Sequence, residues 1–175
     1  MKKITKIAVI GPESTGKSTL CKDLAGHYET VFVPEYARDY FTKNKNIGNY
    51  SLRELENIYI EQIKRENEAL AAANRFLFCD TTLITGKIWA LEDFKEVPPY
   101  IAENIEKINY GLYLVTNNDV KWEKDELRKC GHNRDYLLER NIEELKLLNA
   151  DYRLIQGSNE ARFNNAVKHI NTLFT

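Results

Sequence analysis

The sequence predicts an α/β fold, in which a parallel β-sheet is covered by helices on both faces. Two observations predict it. Short apolar runs alternate with longer amphipathic stretches along the chain. A glycine-bearing octapeptide, Gly11-Pro12-Glu13-Ser14-Thr15-Gly16-Lys17-Ser18, joins the first run to the first amphipathic stretch.

The first strand covers residues 4–10, a nearly continuous apolar run that suits a strand buried on both faces. The helix after the octapeptide carries Leu20 and Leu24 on one side. A short second strand is expected over residues 31–34, and a helix begins near Glu35. Ser51, with Glu54 three residues on, reads as a capping box opening a helix with Leu52, Leu55, Tyr59, Ile63 and Leu70 in its apolar stripe. The third strand, residues 75–79, ends at Asp80. Helical segments follow over about 82–93 and 99–107. The fourth strand covers residues 111–115, a helix 135–149 and the fifth strand 152–155. A last helix starts at Asn159.

Bulk composition narrows the function. The chain has 175 residues, 43% hydrophobic and 29% charged, enough for one domain with a substantial core. No repeat, low-complexity tract or interdomain linker interrupts it, so residues 1–175 are expected to form a single domain. A net charge of −1 does not suit a nucleic-acid or acidic-membrane partner and favours a small ligand held by a local site. Oligomeric state is left open. Cys21, Cys79 and Cys130 are scattered, without C-x-x-C spacing, which argues against disulfides and structural zinc. The first two belong in the core. The basic N-terminus runs straight into the first strand and the octapeptide, and no apolar run approaches membrane-spanning length. A cytoplasmic, reducing compartment is expected.

The octapeptide fits G-x-x-x-x-G-K-[ST], a phosphate loop, with its strand and helix in place. Gly11 and Gly16 let the backbone wrap a phosphate, and the helix start offers unpaired N–H groups. Lys17 can reach the β- and γ-phosphates of ATP, and the Ser18 hydroxyl can ligate Mg²⁺. The ATP site is accordingly assigned to Gly11, Glu13, Ser14, Thr15, Gly16, Lys17, Ser18 and Thr19. The bland alternative is a glycine-rich turn that binds nothing.

Asp80 stands at the carboxyl end of an apolar strand, where a second acid can hold Mg²⁺ with Ser18. Taken alone it reads equally as a strand-end turn residue. Helical geometry puts Glu35, Arg38 and Asp39 on one face, at a strand end that lines the ligand cleft of an open parallel sheet. Glu35 can accept a proton from a substrate hydroxyl, Arg38 can bind a polar or phosphate group, and Tyr36 and Tyr40 can stack on a flat ring. The competing reading is a solvated helix start with an internal ion pair. Residues 117–134 are charge-dense, and 121–134 hold five basic and three acidic residues. An arginine-bearing segment there, with Arg128 and Arg134 as candidates, can close over a nucleotide; an ordinary solvated helix–loop is the alternative. Gln156, in Gln156-Gly157-Ser158 after the fifth strand, supplies nucleobase contacts or simply turns the chain.

Together these motifs resemble a known family, the ribosylnicotinamide (nicotinamide riboside) kinase domain of the bacterial NadR proteins. The carrying segments are the phosphate loop, Glu35-Tyr36-Ala37-Arg38, Asp80-Thr81-Thr82-Leu83-Ile84-Thr85 and Trp122-Glu123-Lys124-Asp125-Glu126-Leu127-Arg128, in matching order and spacing along nearly the whole chain. The resemblance implies a P-loop NTPase fold of the nucleoside/nucleotide-kinase type. Its five-stranded parallel sheet has order 2-3-1-4-5, with a helical substrate-binding region over about 35–73 and a lid over about 117–134. It implies transfer of the γ-phosphoryl of ATP to the 5′-hydroxyl of nicotinamide riboside. By position, Lys17, Glu35, Asp80 and Arg128 belong to the catalytic set. Glu35, Tyr36, Arg38, Asp80 and Trp122 face the acceptor nucleoside, and Ser18 and Asp80 lie at the metal. Either Glu35 or Asp80 can be the base.

Three positions depart from the family's pattern. Pro34 replaces a frequent aromatic residue, Thr82 replaces the second acid of Asp-Thr-Asp, and Lys124-Asp125-Glu126 replaces Asp-Asp-Gly. They leave the ATP motifs intact and bear on the acceptor. The adenylyltransferase and DNA-binding parts of full NadR proteins are not expected in 175 residues. The rival class is a regulatory P-loop ATPase without a small-molecule acceptor. A GTP switch is disfavoured because Asp80-Thr81-Thr82-Leu83 lacks the glycine of Asp-x-x-Gly, and Thr116-Asn117-Asn118-Asp119 lacks the lysine of Asn-Lys-x-Asp. A larger AAA-type motor calls for more chain and a small helical domain.

Overall fold

Five strands carry the chain's apolar runs: β1 (Thr5–Ile10), β2 (Phe32–Val33), β3 (Phe76–Asp80), β4 (Leu112–Thr116) and β5 (Tyr152–Ile155). The structure is a computed structural model and describes residues 3–45, 49–121 and 133–174. The strands form one sheet of order β2-β3-β1-β4-β5 with every strand pairing parallel, the order the resemblance implies. The helices among the described residues are α1 (Lys17–His27), α2 (Tyr36–Asn44), α3 (Leu52–Ala69), α4 (Leu83–Phe94), α5 (Pro99–Asn104), α6 (Arg134–Leu147) and α7 (Asn159–Phe174).

Side-chain alternation along the strands divides the core. Ile7, Val9, Phe76, Phe78, Leu112 and Leu114 face one way and pack with Leu20 and Leu24 of α1 and Ala166 and Ile170 of α7. Ala8, Ile10, Leu77, Cys79, Tyr113 and Val115 face the other way and pack with Ile84, Ile88 and Leu145 of α4 and α6. Cys21 and Cys79 are buried, as core residues should be. A third cluster lies off the sheet, where Phe41, Leu55, Ile58, Tyr59, Leu83 and Ile101 join α2 through α5. Gly86 allows α4 to approach α3 closely, because a Cβ there would stand 2.7 Å from the Tyr59 ring.

The capping box at α3 forms as expected: the Glu54 N–H donates to Ser51 Oγ at 3.2 Å, and the Ser51 N–H donates to Glu54 Oε2 at 2.8 Å. Two helices are shorter than their periodicity suggests. Residues 71–73 leave α3 in tight turns, with the Ala72 N–H bonded to the Ala69 carbonyl, delivering the chain to β3. Likewise α5 stops at Asn104, and Lys107 closes a turn onto the Asn104 carbonyl. Among the described residues no helix is long and apolar enough to cross a membrane. Register places the ends of β1, β3 and β4 together, pairing Val9 with Asp80 and Ile10 with Val115. The loops carrying polar motifs therefore meet at one edge.

Candidate active site

The phosphate loop leaves the end of β1 and enters α1. Gly11 has φ 137°, and a Cβ there would lie 2.6 Å from Thr116 Oγ1 and 2.7 Å from the Thr116 carbonyl, so only glycine fits against β4. Thr15 fastens the loop from inside. Its Oγ1 lies 2.8 Å from the Pro12 carbonyl and 2.6 Å from Thr116 Oγ1. Gly16, in the left-handed region, caps α1 without a side-chain hydrogen bond, so no cap blocks the helix N-terminus. Lys17 folds over the loop and donates to the Gly11 carbonyl at 3.1 Å and the Pro12 carbonyl at 2.8 Å. A phosphate would offer that ammonium a charged partner instead.

Ser18 and Asp80 meet across this edge. Ser18 Oγ donates to Asp80 Oδ2 at 2.5 Å. Asp80 is fully buried, and its Oδ1 has no hydrogen-bond partner in the structure. Burial pushes its carboxyl above the ordinary range, opposed by Lys17, the Ser18 hydroxyl, Arg38 and a backbone hydrogen bond from Glu35. A buried carboxylate with a spare oxygen beside a hydroxyl, next to a phosphate loop, is a donor set that suits Mg²⁺ bound partly through phosphates. No group of three or more acidic, histidine or cysteine side chains that could cage a metal occurs among the described residues. Thr81, the next residue, has φ 70°, a strained conformation for a β-branched side chain, and its N–H bonds to the Val9 carbonyl at 3.0 Å.

Glu35 caps the start of α2 with extended backbone. It lines the same cleft as the phosphate loop, with Arg38. Burial first, then the neighbouring Asp80 charge, raise the Glu35 carboxyl from 4.5 to about 7, against the pull of Lys17 and Arg38. Its position is set by Gln62 of α3. That side chain is 1% exposed; its Oε1 accepts the Tyr36 N–H at 2.8 Å and its Nε2 lies 3.5 Å from the Asp80 carbonyl.

The rest of the expected cluster divides. Asp39 turns away and pairs with Arg65 of α3 at 3.2 Å. The Arg65 guanidinium covers the Tyr36 ring at 4.2 Å, and the Tyr40 hydroxyl donates to Glu54 at 2.8 Å. Both tyrosines are thus placed against α3. Thr82, where the family's second acid would stand, is buried and caps α4 by accepting from the Ile84 N–H at 3.2 Å. Trp122 and Arg128 lie outside the described residues. Gln156 is exposed beyond β5, and its N–H donates to Asn165 Oδ1 at 3.1 Å.

Several site residues escaped the sequence reading. Arg162 of α7 is 4% exposed and donates to the carbonyls of Thr15, Gly157 (2.7 Å) and Asn117 (3.0 Å) and to the Asp119 carboxylate. It ties the phosphate loop to the ends of β4 and β5. Its place in the stripe Arg162, Ala166, Ile170 was a readable signal, because a charge at a core position needs partners. Gln62 sits in the α3 stripe in the same way. From α4 and α6, Thr85, Ile88, Trp89, Leu137 and Asn141 complete the cleft.

Residues 6–162 match the family described as AAA domain. The chain belongs to the AAA domain family. This AAA domain is 27% identical over 161 residues to the trifunctional NAD biosynthesis/regulator protein NadR of Salmonella typhimurium (strain LT2), and likewise to that of Escherichia coli (strain K12). In each case the match covers 85% of this chain and 39% of the relative, so the chain spans well under half the length of these curated relatives. Among solved structures, a NadR protein in complex with NR superposes with a TM-score of 0.84 at 22% identity, over 97% of this chain and 51% of that one. A deoxyadenosine kinase from M. mycoides superposes at 0.65 and 14% identity, over 96% of this chain and all of that one. The AAA domain thus has the fold of these proteins.

Proposed function

We propose that this chain is a Mg²⁺- and ATP-dependent kinase that phosphorylates the 5′-hydroxyl of a nucleoside, nicotinamide riboside, giving nicotinamide mononucleotide. The observation that carries the reading is one edge of the sheet holding three groups together. They are a phosphate loop with its lysine, a Ser18–Asp80 pair with a spare buried oxygen, and a second acid, Glu35, across from Asp80. The 27% identity to NadR relatives, and the fold shared with a NadR protein in complex with NR, support this acceptor.

Phosphoryl transfer needs positioning and charge neutralisation more than covalent chemistry. The loop N–H groups and the α1 N-terminus would hold the β- and γ-phosphates, and Lys17 would move from the Gly11 and Pro12 carbonyls onto them. Ser18 and Asp80 would hold Mg²⁺, which when bound offsets phosphate charge. Glu35 would take the proton of the acceptor hydroxyl as its oxygen bonds to the γ-phosphorus and the bond to ADP breaks. A carboxylate tuned to about 7 is matched to that role at neutral pH. Asp80, bonded to Ser18, suits the metal better than the base. Arg38, and Arg128 from the 117–134 lid, would stabilise the charge in transit. We take the described residues as one kinase domain acting in the cytoplasm, where the buried, unpaired Cys21 and Cys79 stay reduced. The test is product identity: ATP and nicotinamide riboside should give nicotinamide mononucleotide by mass spectrometry, and Lys17→Ala should abolish it while keeping the circular dichroism of the parent. Unimpaired product formation by Lys17→Ala overturns the mechanism.

A further inference from the structure

The far wall of the cleft holds two polar atoms that the phosphate chemistry does not use. Asn141 of α6 is 4% exposed and Thr85 of α4 is 8% exposed, and both line the cleft. Asn141 Oδ1 and Thr85 Oγ1 are buried with no hydrogen-bond partner in the structure. The orientation of the Asn141 amide is fixed by its other end. Nδ2 donates to the Leu137 carbonyl at 2.7 Å, and a carbonyl cannot receive an oxygen. Oδ1 must therefore be the atom left over, and it can only accept. Thr85 Oγ1 can donate. The two helices are locked together beside these residues by the Lys87–Glu144 ion pair at 2.6 Å. Around the two atoms the cleft is apolar, with Ile88, Phe41 and the half-buried Trp89.

We propose that Asn141 and Thr85 form the specificity subsite for the acceptor's base, and that they read a carboxamide on a flat heteroaromatic ring. The amide NH₂ fills the acceptor at Asn141 Oδ1, and the amide carbonyl takes the Thr85 hydroxyl. An exocyclic amino group alone would satisfy only Asn141. A ring carboxylate could take the Thr85 hydroxyl on one oxygen, but its other, negatively charged oxygen would face the Asn141 oxygen, which cannot donate, and a site that leaves buried polar groups unpaired rejects such an analogue strongly. Trp89 supplies a ring wall from α4, in a cleft where Pro34 provides none. The inference rests on the kinase reading above.

The experiment compares nicotinamide riboside with nicotinic acid riboside by kcat/KM, in the parent chain and in Asn141→Leu and Thr85→Val. The parent should prefer the amide by about 10²-fold or more. Asn141→Leu, of similar volume, should cut that preference below about 10-fold while leaving the KM for ATP unchanged. Thr85→Val should lower use of the amide about 10-fold, and it covers the case in which Asn141→Leu does not fold. Equal use of both ribosides by the parent, or an unchanged preference in the folded variants, overturns the inference alone. Phosphorylation of neither riboside overturns the nicotinamide riboside assignment and this subsite with it.

Discussion

The Ser18 hydroxyl donates to Asp80 Oδ2 at 2.5 Å, joining the first turn of α1 to the end of β3 and leaving Asp80 Oδ1 buried without a partner. Burial disfavours the Asp80 charge, a cost that a cation bound there, as the kinase reading proposes, would relieve. Asp80→Asn should lower kcat about 10²-fold or more without lowering the melting temperature of the ligand-free chain. Steady-state ADP release checks the first, and scanning calorimetry with and without Mg²⁺–ATP the second. A gain in melting temperature from Mg²⁺–ATP should be seen in the parent and be largely lost in the variant.

Glu35 makes a pH prediction. Its folded-state value, about 7, lies above its ordinary 4.5, so between those values the folded state binds more protons than the unfolded one. Its contribution to stability is fully present below 4.5 and is lost as pH rises to about 7. Relative to the parent, Glu35→Gln should therefore be more stable at pH 8 than at pH 5, by urea denaturation. In activity the sign is reversed, because a base must be ionised. The kcat/KM of the parent should rise through a limb near 7, and Glu35→Gln should lose both the limb and most of the rate.

Arg162 is the clamp behind the phosphate loop. Arg162→Met leaves the Thr15, Asn117 and Gly157 carbonyls and the Asp119 carboxylate without their shared donor. The expected loss is about 3–5 kcal/mol of folding stability, read from the urea midpoint. Arg162→Lys should recover only part of it, since one ammonium cannot span four acceptors on different elements.

A buried ion pair anchors α3 near the other end of β1. Glu66 is fully buried, paired with Lys6 at 2.5 Å and bonded by the Tyr110 hydroxyl at 2.9 and 2.8 Å. Lys6→Met should cost about 3–5 kcal/mol, because it strands the carboxylate. The double variant Lys6→Met/Glu66→Leu should recover most of that loss. Urea denaturation of the three chains forms the test.

What could be read from the sequence follows from the range of each interaction. The phosphate loop, the Ser51–Glu54 capping box and the alternation of strand and helix depend on neighbours a few residues away, and they form where periodicity places them. Glu35 and Arg38 line the phosphate-loop cleft, and Asp80 lies buried beneath it on Ser18, because parallel strands end together. Asp39 does not, because Arg65, twenty-six positions on, offers it an ion pair. Gln62, Asn141 and Arg162 show in the sequence only as polar residues in helix core stripes that need partners, and only the packed neighbours reveal which partners those are. Trp89 was hidden likewise, since an aromatic residue in an apolar helix reads as core until the cleft beside it is seen.

The central claim is transfer to a nucleoside, and ADP release measured with and without acceptor tests it most directly. Across a panel of nucleosides with Mg²⁺–ATP, nicotinamide riboside should stimulate ADP release well above the rate with ATP alone, in equal amount to nicotinamide mononucleotide formed. ADP release at the same rate with every nucleoside and with none would contradict the account and leave a regulatory ATPase in its place.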